Sequence, residues 1–133
     1  MKRDMELIRK ILFYIEENYV AGEKWLRCID IEGYDYAVIM EHVVLAYENG
    51  LIQDVKDIST LGGTSYWVGN LSNTGYDFLD KIRSDTVWNK TKTAIKEKGL
   101  PMATGTISTI ANAFISAAAE GVANSILKSG GII

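Results

Sequence analysis

Apolar residues recur at spacings of three and four near the start of the chain, at Met5, Ile8, Ile11, Leu12, Ile15 and Tyr19. This spacing predicts a helix of about four turns with one buried stripe. Asp4 stands where a cap belongs, and Gly22 where the helix should have ended. From Trp25 to Ile31 the period shortens to two. Trp25, Arg27, Ile29 and Ile31 fall on one side and Leu26, Cys28 and Asp30 on the other, which predicts a brief strand. Helical spacing returns at Val38, Ile39, Val43 and Ala46, with Leu45 or His42 at the margin of the stripe and Asp35 as cap. Asn49-Gly50 stops this second helix. Residues 51–71 read as a hairpin, with arms Leu51–Ile58 and Tyr66–Leu71 and Leu61-Gly62-Gly63-Thr64 at its tip.

Ser72 or Asn73 caps a further helix whose inner face is Tyr76, Leu79 and Ile82, with Phe78 beside it. Trp88, Thr91 and Ile95 continue the stripe after a kink near Ser84-Asp85, and Gly99-Leu100-Pro101 ends it. The composition then changes. Met102–Ile133 holds only two charges, Glu120 and Lys128, and its apolar residues keep a helical spacing that predicts one more helix over about 105–128. The expected fold is α+β and mostly helical. Helix, strand, helix, hairpin, helix is the order of a winged helix, here degenerate. Too few residues separate the first strand from the helix at 35–49 for a full second helix, which is short or missing. The expected division is a winged-helix-like domain with a two-stranded wing over 1–101 and an added helix for packing or oligomerisation over 102–133.

With 47% hydrophobic and 23% charged residues, the composition is that of a folded soluble protein. Cys28 is the only cysteine, so an intramolecular disulfide is excluded. No long apolar run follows Met1–Glu6, so no signal peptide is expected and the cytoplasm is the simplest compartment. The net charge of −3 means that any nucleic-acid binding must come from a local basic face.

The helix before a wing normally enters the major groove. Its outward residues here are expected to be Tyr36, Ala37, Met40, Glu41, Val44 and Glu48, none of which pairs with a phosphate. Between Cys28 and Val55 there is no lysine or arginine, whereas Asp30, Glu32, Asp35, Glu41, Glu48 and Asp54 all fall there. Phosphate neutralisation supplies most non-specific affinity, so this face argues against ordinary DNA reading. The wing adds Lys56. Lys81, Arg83, Lys90, Lys92, Lys96 and Lys98 form a candidate contact for a nucleic-acid backbone, diluted by Asp80, Asp85 and Glu97. A solvated helix face is the simpler account of them. Of Tyr66 and Trp67, alternation lets only one point inward, and an exposed one would mark a binding surface.

No catalytic, cofactor or metal site is expected. His42 is the only histidine, and Glu41-His42 lacks the second histidine of the zinc-protease helix. The simpler place for His42 is a helix position at the core margin. Gly62-Gly63-Thr64-Ser65 lacks the lysine and following helix of a phosphate loop. Asp30, Glu32 and Asp35 do not follow a calcium-loop pattern.

Four blocks carry a family resemblance. They are Met1-Lys2-Arg3-Asp4-Met5-Glu6-Leu7-Ile8-Arg9; Ile31-Glu32-Gly33-Tyr34 with His42 and Glu48-Asn49-Gly50-Leu51-Ile52; Leu71–Gly75 with Phe78-Leu79-Asp80 and Ile82-Arg83; and Asp85-Thr86-Val87-Trp88-Asn89-Lys90-Thr91-Lys92. Over about residues 1–99 the chain resembles a domain-of-unknown-function family (number 2513) of small phage, prophage and mobile-element proteins. The resemblance implies a winged-helix-like fold and a mobile-element origin, and transfers no functional residue. The tail after Pro101 does not look like the typical family ending.

In that tail Ala113, Ala117, Gly121 and Ser125 are small and four apart, beside a stripe of Ile107, Ile110, Phe114, Val122 and Ile126. Small ridges let helix backbones approach closely. Asn112, Ser116, Glu120 and Asn124 interrupt the run that a membrane span requires, so a membrane is the least suited partner. The expected oligomer or partner contact is Ile107, Ile110, Phe114, Ala117, Gly121, Val122 and Ile126. The expected function is a non-catalytic phage or mobile-element interaction module, a homo-oligomer acting on a host protein. The alternative is a winged-helix DNA-binding regulator.

Overall fold

A computed structural model describes residues 1–128 of the chain. Helix α1 (Met5–Asn18) starts where the Asp4 carboxylate accepts the backbone N–H groups of Glu6 at 2.9 Å and Leu7 at 3.3 Å. It buries the predicted stripe from Met5 to Ile15 and Leu7 with it, whereas Tyr19, expected at the end of the stripe, is the half-buried residue that follows the last turn. Arg9 is buried too, its guanidinium 4.9 Å from the centre of the Phe13 ring. The fold is α+β and mostly helical. After α1 come α2 (Tyr36–Glu48), the strands β1 (Val55–Asp57) and β2 (Tyr66–Val68), then α3 (Asn73–Ile82), α4 (Asp85–Glu97) and α5 (Thr104–Lys128).

The strand expected at 25–31 is reduced to one antiparallel bridge, Leu26 to Val68, closed by hydrogen bonds of 2.7 and 3.0 Å. Alternation lapses after Arg27 because Ile29 and Ile31 are both drawn into the core before the chain turns at Gly33 (φ +88°). No helix lies between this bridge and α2 among the described residues.

α2 packs on α1 and against β2, and this second neighbour changes its buried face. Met40, expected to point outward, is 1% exposed, and its Sδ accepts the Tyr66 N–H at 3.3 Å. His42 is wholly buried rather than marginal. Asp35 makes no side-chain cap; only its carbonyl joins the helix, accepting from the Ile39 N–H. α2 stops in a Schellman arrangement about Gly50 (φ +74°), with Leu51 N–H donating to Ala46 O and Gly50 N–H to Tyr47 O.

β1 and β2 pair antiparallel, Val55 with Val68, Lys56 with Trp67 and Asp57 with Tyr66. Single bridges at Ile52–Leu71 and Thr60–Gly63 extend the hairpin to the predicted base and tip. Ser72 then ties α3 to the end of α2. Its hydroxyl donates to Gly50 O and accepts the Gly75 N–H, while its backbone N–H donates to Leu51 O.

The chain forms two compact units, residues 1–80 and from Lys81 onward, so the division falls before the change in composition at Pro101. In the second unit the expected kink at Ser84 is a complete break. Ser84 Oγ accepts the Val87 N–H and caps a separate helix, α4, which buries Trp88, Thr91 and Ile95. α4 ends at Gly99 (φ +63°), and α5 packs back on it.

Candidate interaction surfaces

The single histidine sits in a polar junction rather than a cleft. His42 Nε2 accepts the Asp4 N–H at 2.8 Å, so the ring proton lies on Nδ1 and donates to Val38 O at 2.8 Å. Both ring nitrogens are engaged and the ring has no exposed surface. The Tyr34 hydroxyl is hydrogen-bonded to the Asp4 carboxylate. Partial burial raises its pKa above the ordinary value, and the charges of Asp4 and Glu6 add to the effect. The junction thus joins the start of α1, the turn at Tyr34 and α2.

α2 offers solvent little beyond Tyr36, Ala37, Glu41, Tyr47 and Glu48, with Val44 half-buried. Tyr36 and Ala37 border a shallow depression with the hairpin tip, where the Tyr36 hydroxyl is hydrogen-bonded to Ser65 Oγ. No cation reaches this face from α2 itself.

The sheet carries a feature that sequence reasoning missed. The Leu26–Val68 bridge and the β1–β2 register set Arg27 and Lys56 on either side of Trp67. The Arg27 guanidinium lies 4.8 Å and the Lys56 ammonium 5.3 Å from the indole ring. Trp67 is therefore the outward aromatic of the pair weighed earlier, half-exposed, while Val68 and Leu26 occupy the opposite face. The available signal was the shared parity of Trp25 and Arg27, but it needed a pairing partner to be read.

The six basic residues at 81–98 are spread over the end of α3, the break after it and α4. Lys81 ends α3, Arg83 lies in the break, and Lys98 follows the last turn of α4. On α4, Lys92 and Lys96 share a groove with Asn89, Thr93, Leu100 and Met102, whereas Lys90 lines a second groove with Ala94, Glu97 and Phe114.

In α5 only Ile107 and Ala111 are buried. Ile107, expected to meet another copy, is taken up by the chain's own core, because the first turns of α5 lie along α4. Ile110 and Phe114 are half-buried, and Ala117, Gly121, Val122 and Ile126 are exposed. α5 is long and apolar enough to cross a membrane by length and composition, and most of its residues are exposed.

A family model described as "Hypothetical protein (DUF2513)" matches residues 2–101. The chain belongs to this family. An uncharacterised protein of Haemophilus influenzae (strain ATCC 51907 / DSM 11121 / KW20 / Rd) is 38% identical over 116 residues, covering 87% of this chain and 97% of the relative. No solved structure matches. The DUF2513 match ends at the turn before α5. The Haemophilus alignment is long enough that it must pass Ala111, so the part of α5 that packs on α4 falls within it.

Proposed function

We propose that this DUF2513 protein is a non-catalytic interaction module of a phage or mobile element, working in the cytoplasm on a winged-helix-like scaffold and self-associating through α5. The observation that carries this reading is the unequal length of two packed helices. At 1.5 Å per residue, α5 runs about 37 Å and α4 about 20 Å. Phe114 still shares a groove with Asn89 and Lys90 of α4. Beyond it the helix continues with Val122 62%, Ile126 50% and Leu127 59% exposed. Covering such side chains contributes roughly 1 kcal/mol or more each, which is what a second copy offers.

Gly121→Leu tests the idea in the full chain. A side chain at Gly121 meets nothing within 4 Å, so the monomer accommodates it. A close helix pair does not. Light scattering should show a concentration-dependent oligomer for the native protein and a monomer for the variant. A native protein that stays monomeric refutes the proposal. Co-sedimentation of both proteins with lipid vesicles, the variant as strongly as the native chain, would assign α5 to a membrane instead.

A further inference from the structure

We infer that the outer face of the hairpin sheet binds single-stranded nucleic acid. This goes beyond self-association and does not depend on it. Arg27, Trp67 and Lys56 form one cross-strand row, ordered by the Leu26–Val68 bridge and the Lys56–Trp67 pair. Trp25 lies two residues before Arg27 and is half-exposed. The Lys24 ammonium stands 5.4 Å from the Trp25 ring. Two indoles and three cations thus share one surface, and Lys24, Arg27 and Lys56 are all exposed.

That combination matches the chemistry of a single strand. Bases stack on aromatic rings whatever their sequence, and flexible cations resting on those rings swing to the phosphates. The inward residues Leu26, Val55 and Val68 anchor the strands, so the outward set is held at fixed spacing. Two acids lie beside these cations: Glu23 next to Lys24, and Asp54, which takes the same side of its strand as Lys56. The Asp54 carboxylate accepts the Val55 N–H at 2.9 Å, and Asp57, on the opposite side of its strand, accepts the Ser59 N–H at 2.8 Å. Asp30, three residues after Arg27, is a further exposed acid of this segment.

A duplex fits less well. Docking α2 in a groove would set Glu41 and Glu48 against phosphates with no cation on the same helix. A single strand needs only the sheet.

The test uses the full chain and a fluorescently labelled oligothymidylate. Anisotropy should rise and tryptophan emission fall on mixing at low salt. Three neutralised phosphates predict a slope of about −2 for log affinity against log salt. Arg27→Gln with Lys56→Gln, both exposed, should weaken binding about tenfold or more while circular dichroism stays native. Trp67→Phe should weaken it less, and Lys92→Gln with Lys96→Gln not at all. Four results would overturn the assignment: no binding at low salt, binding that survives the Arg27 and Lys56 changes, a duplex that competes equally, or poly-glutamate that competes equally. The last would mark an acidic protein segment as the partner.

Discussion

Glycine inside a helix is normally a weakness, and replacing it with alanine gains up to about 1 kcal/mol. Gly75→Ala should reverse that sign. Gly75 lies in the first turn of α3, where the helix crosses the backbone of the buried Leu51. A Cβ there would stand 2.9 Å from the Leu51 carbonyl carbon and 3.2 Å from its Cα, with the carbonyl oxygen closer still. Carbon–carbon contact needs about 3.5 Å, and these are main-chain atoms that no rotamer change moves aside. Relief requires α3 to lift from residue 51, which breaks the hydrogen bonds of Ser72 N–H to Leu51 O and of the Ser72 hydroxyl to Gly50 O.

Overpacking of this kind costs about 1–3 kcal/mol, and each lost bond adds about 1 kcal/mol. Less the propensity gain, the net destabilisation is about 3 kcal/mol. Urea unfolding followed by circular dichroism should show the midpoint falling by about 1–2 M for an ordinary small-protein slope. Gly105→Ala is the matched control. It is also helical, its added Cβ meets nothing within 4 Å, and it should be neutral or stabilising by up to about 1 kcal/mol. If Gly75→Ala behaves like Gly105→Ala, the close crossing of α3 over Leu51 is wrong.

Two further substitutions test other parts of the fold. Asp4→Ala should lose about 1 kcal/mol by uncapping α1, and Asp4→Asn should lose less. In both, ultraviolet titration should find Tyr34 ionising at lower pH, since Asp4 charge and hydrogen bonding help to raise its pKa. The folded pKa lies above the unfolded one, so Tyr34 contributes stability below pH 10, lost as pH rises through the folded value; an unmoved titration would remove Asp4 from that role. Thr91→Val should raise the melting temperature by about 4 °C, because the buried Thr91 Oγ1 finds no hydrogen-bond partner among the described residues; a lower melting temperature would show that the hydroxyl is satisfied.

Local signals account for much of this architecture. Asp4, Asn49-Gly50 and Gly99-Leu100-Pro101 mark helix ends that involve few distant residues, and each stands where its chemistry places it. Non-local packing accounts for the differences. Met40 looks outward on a lone α2, and only β2 crossing that side buries it. Trp88, Thr91 and Ile95 resume a helical spacing of three and four that falls on nearly the opposite side from Tyr76, Leu79 and Ile82, and that shift of phase, with Ser84 as a good cap, is the local signal of the break. The Arg27–Trp67–Lys56 row joins residues forty positions apart. Parity along one segment says which side a residue takes, but strand register decides what stands beside it.

The proposed self-association rests on the unequal cover of the two ends of α5. A helical segment of three to four turns is marginal alone in water, and its stability comes from covering an apolar face. The first turns of α5 have that cover in α4. The later turns carry Val122 and Leu127 into solvent with Ala113, Ala117 and Gly121 interleaved, and only Glu120 and Lys128 supply charge. A helix meant to stand free in water would carry charged pairs along its length. Lengthening α4 would not cover the overhang from within, because the Ser84 cap and the Gly99 turn fix both of its ends. The length mismatch therefore puts the apolar overhang beyond reach of α4, and under the proposed self-association a second copy would supply its cover.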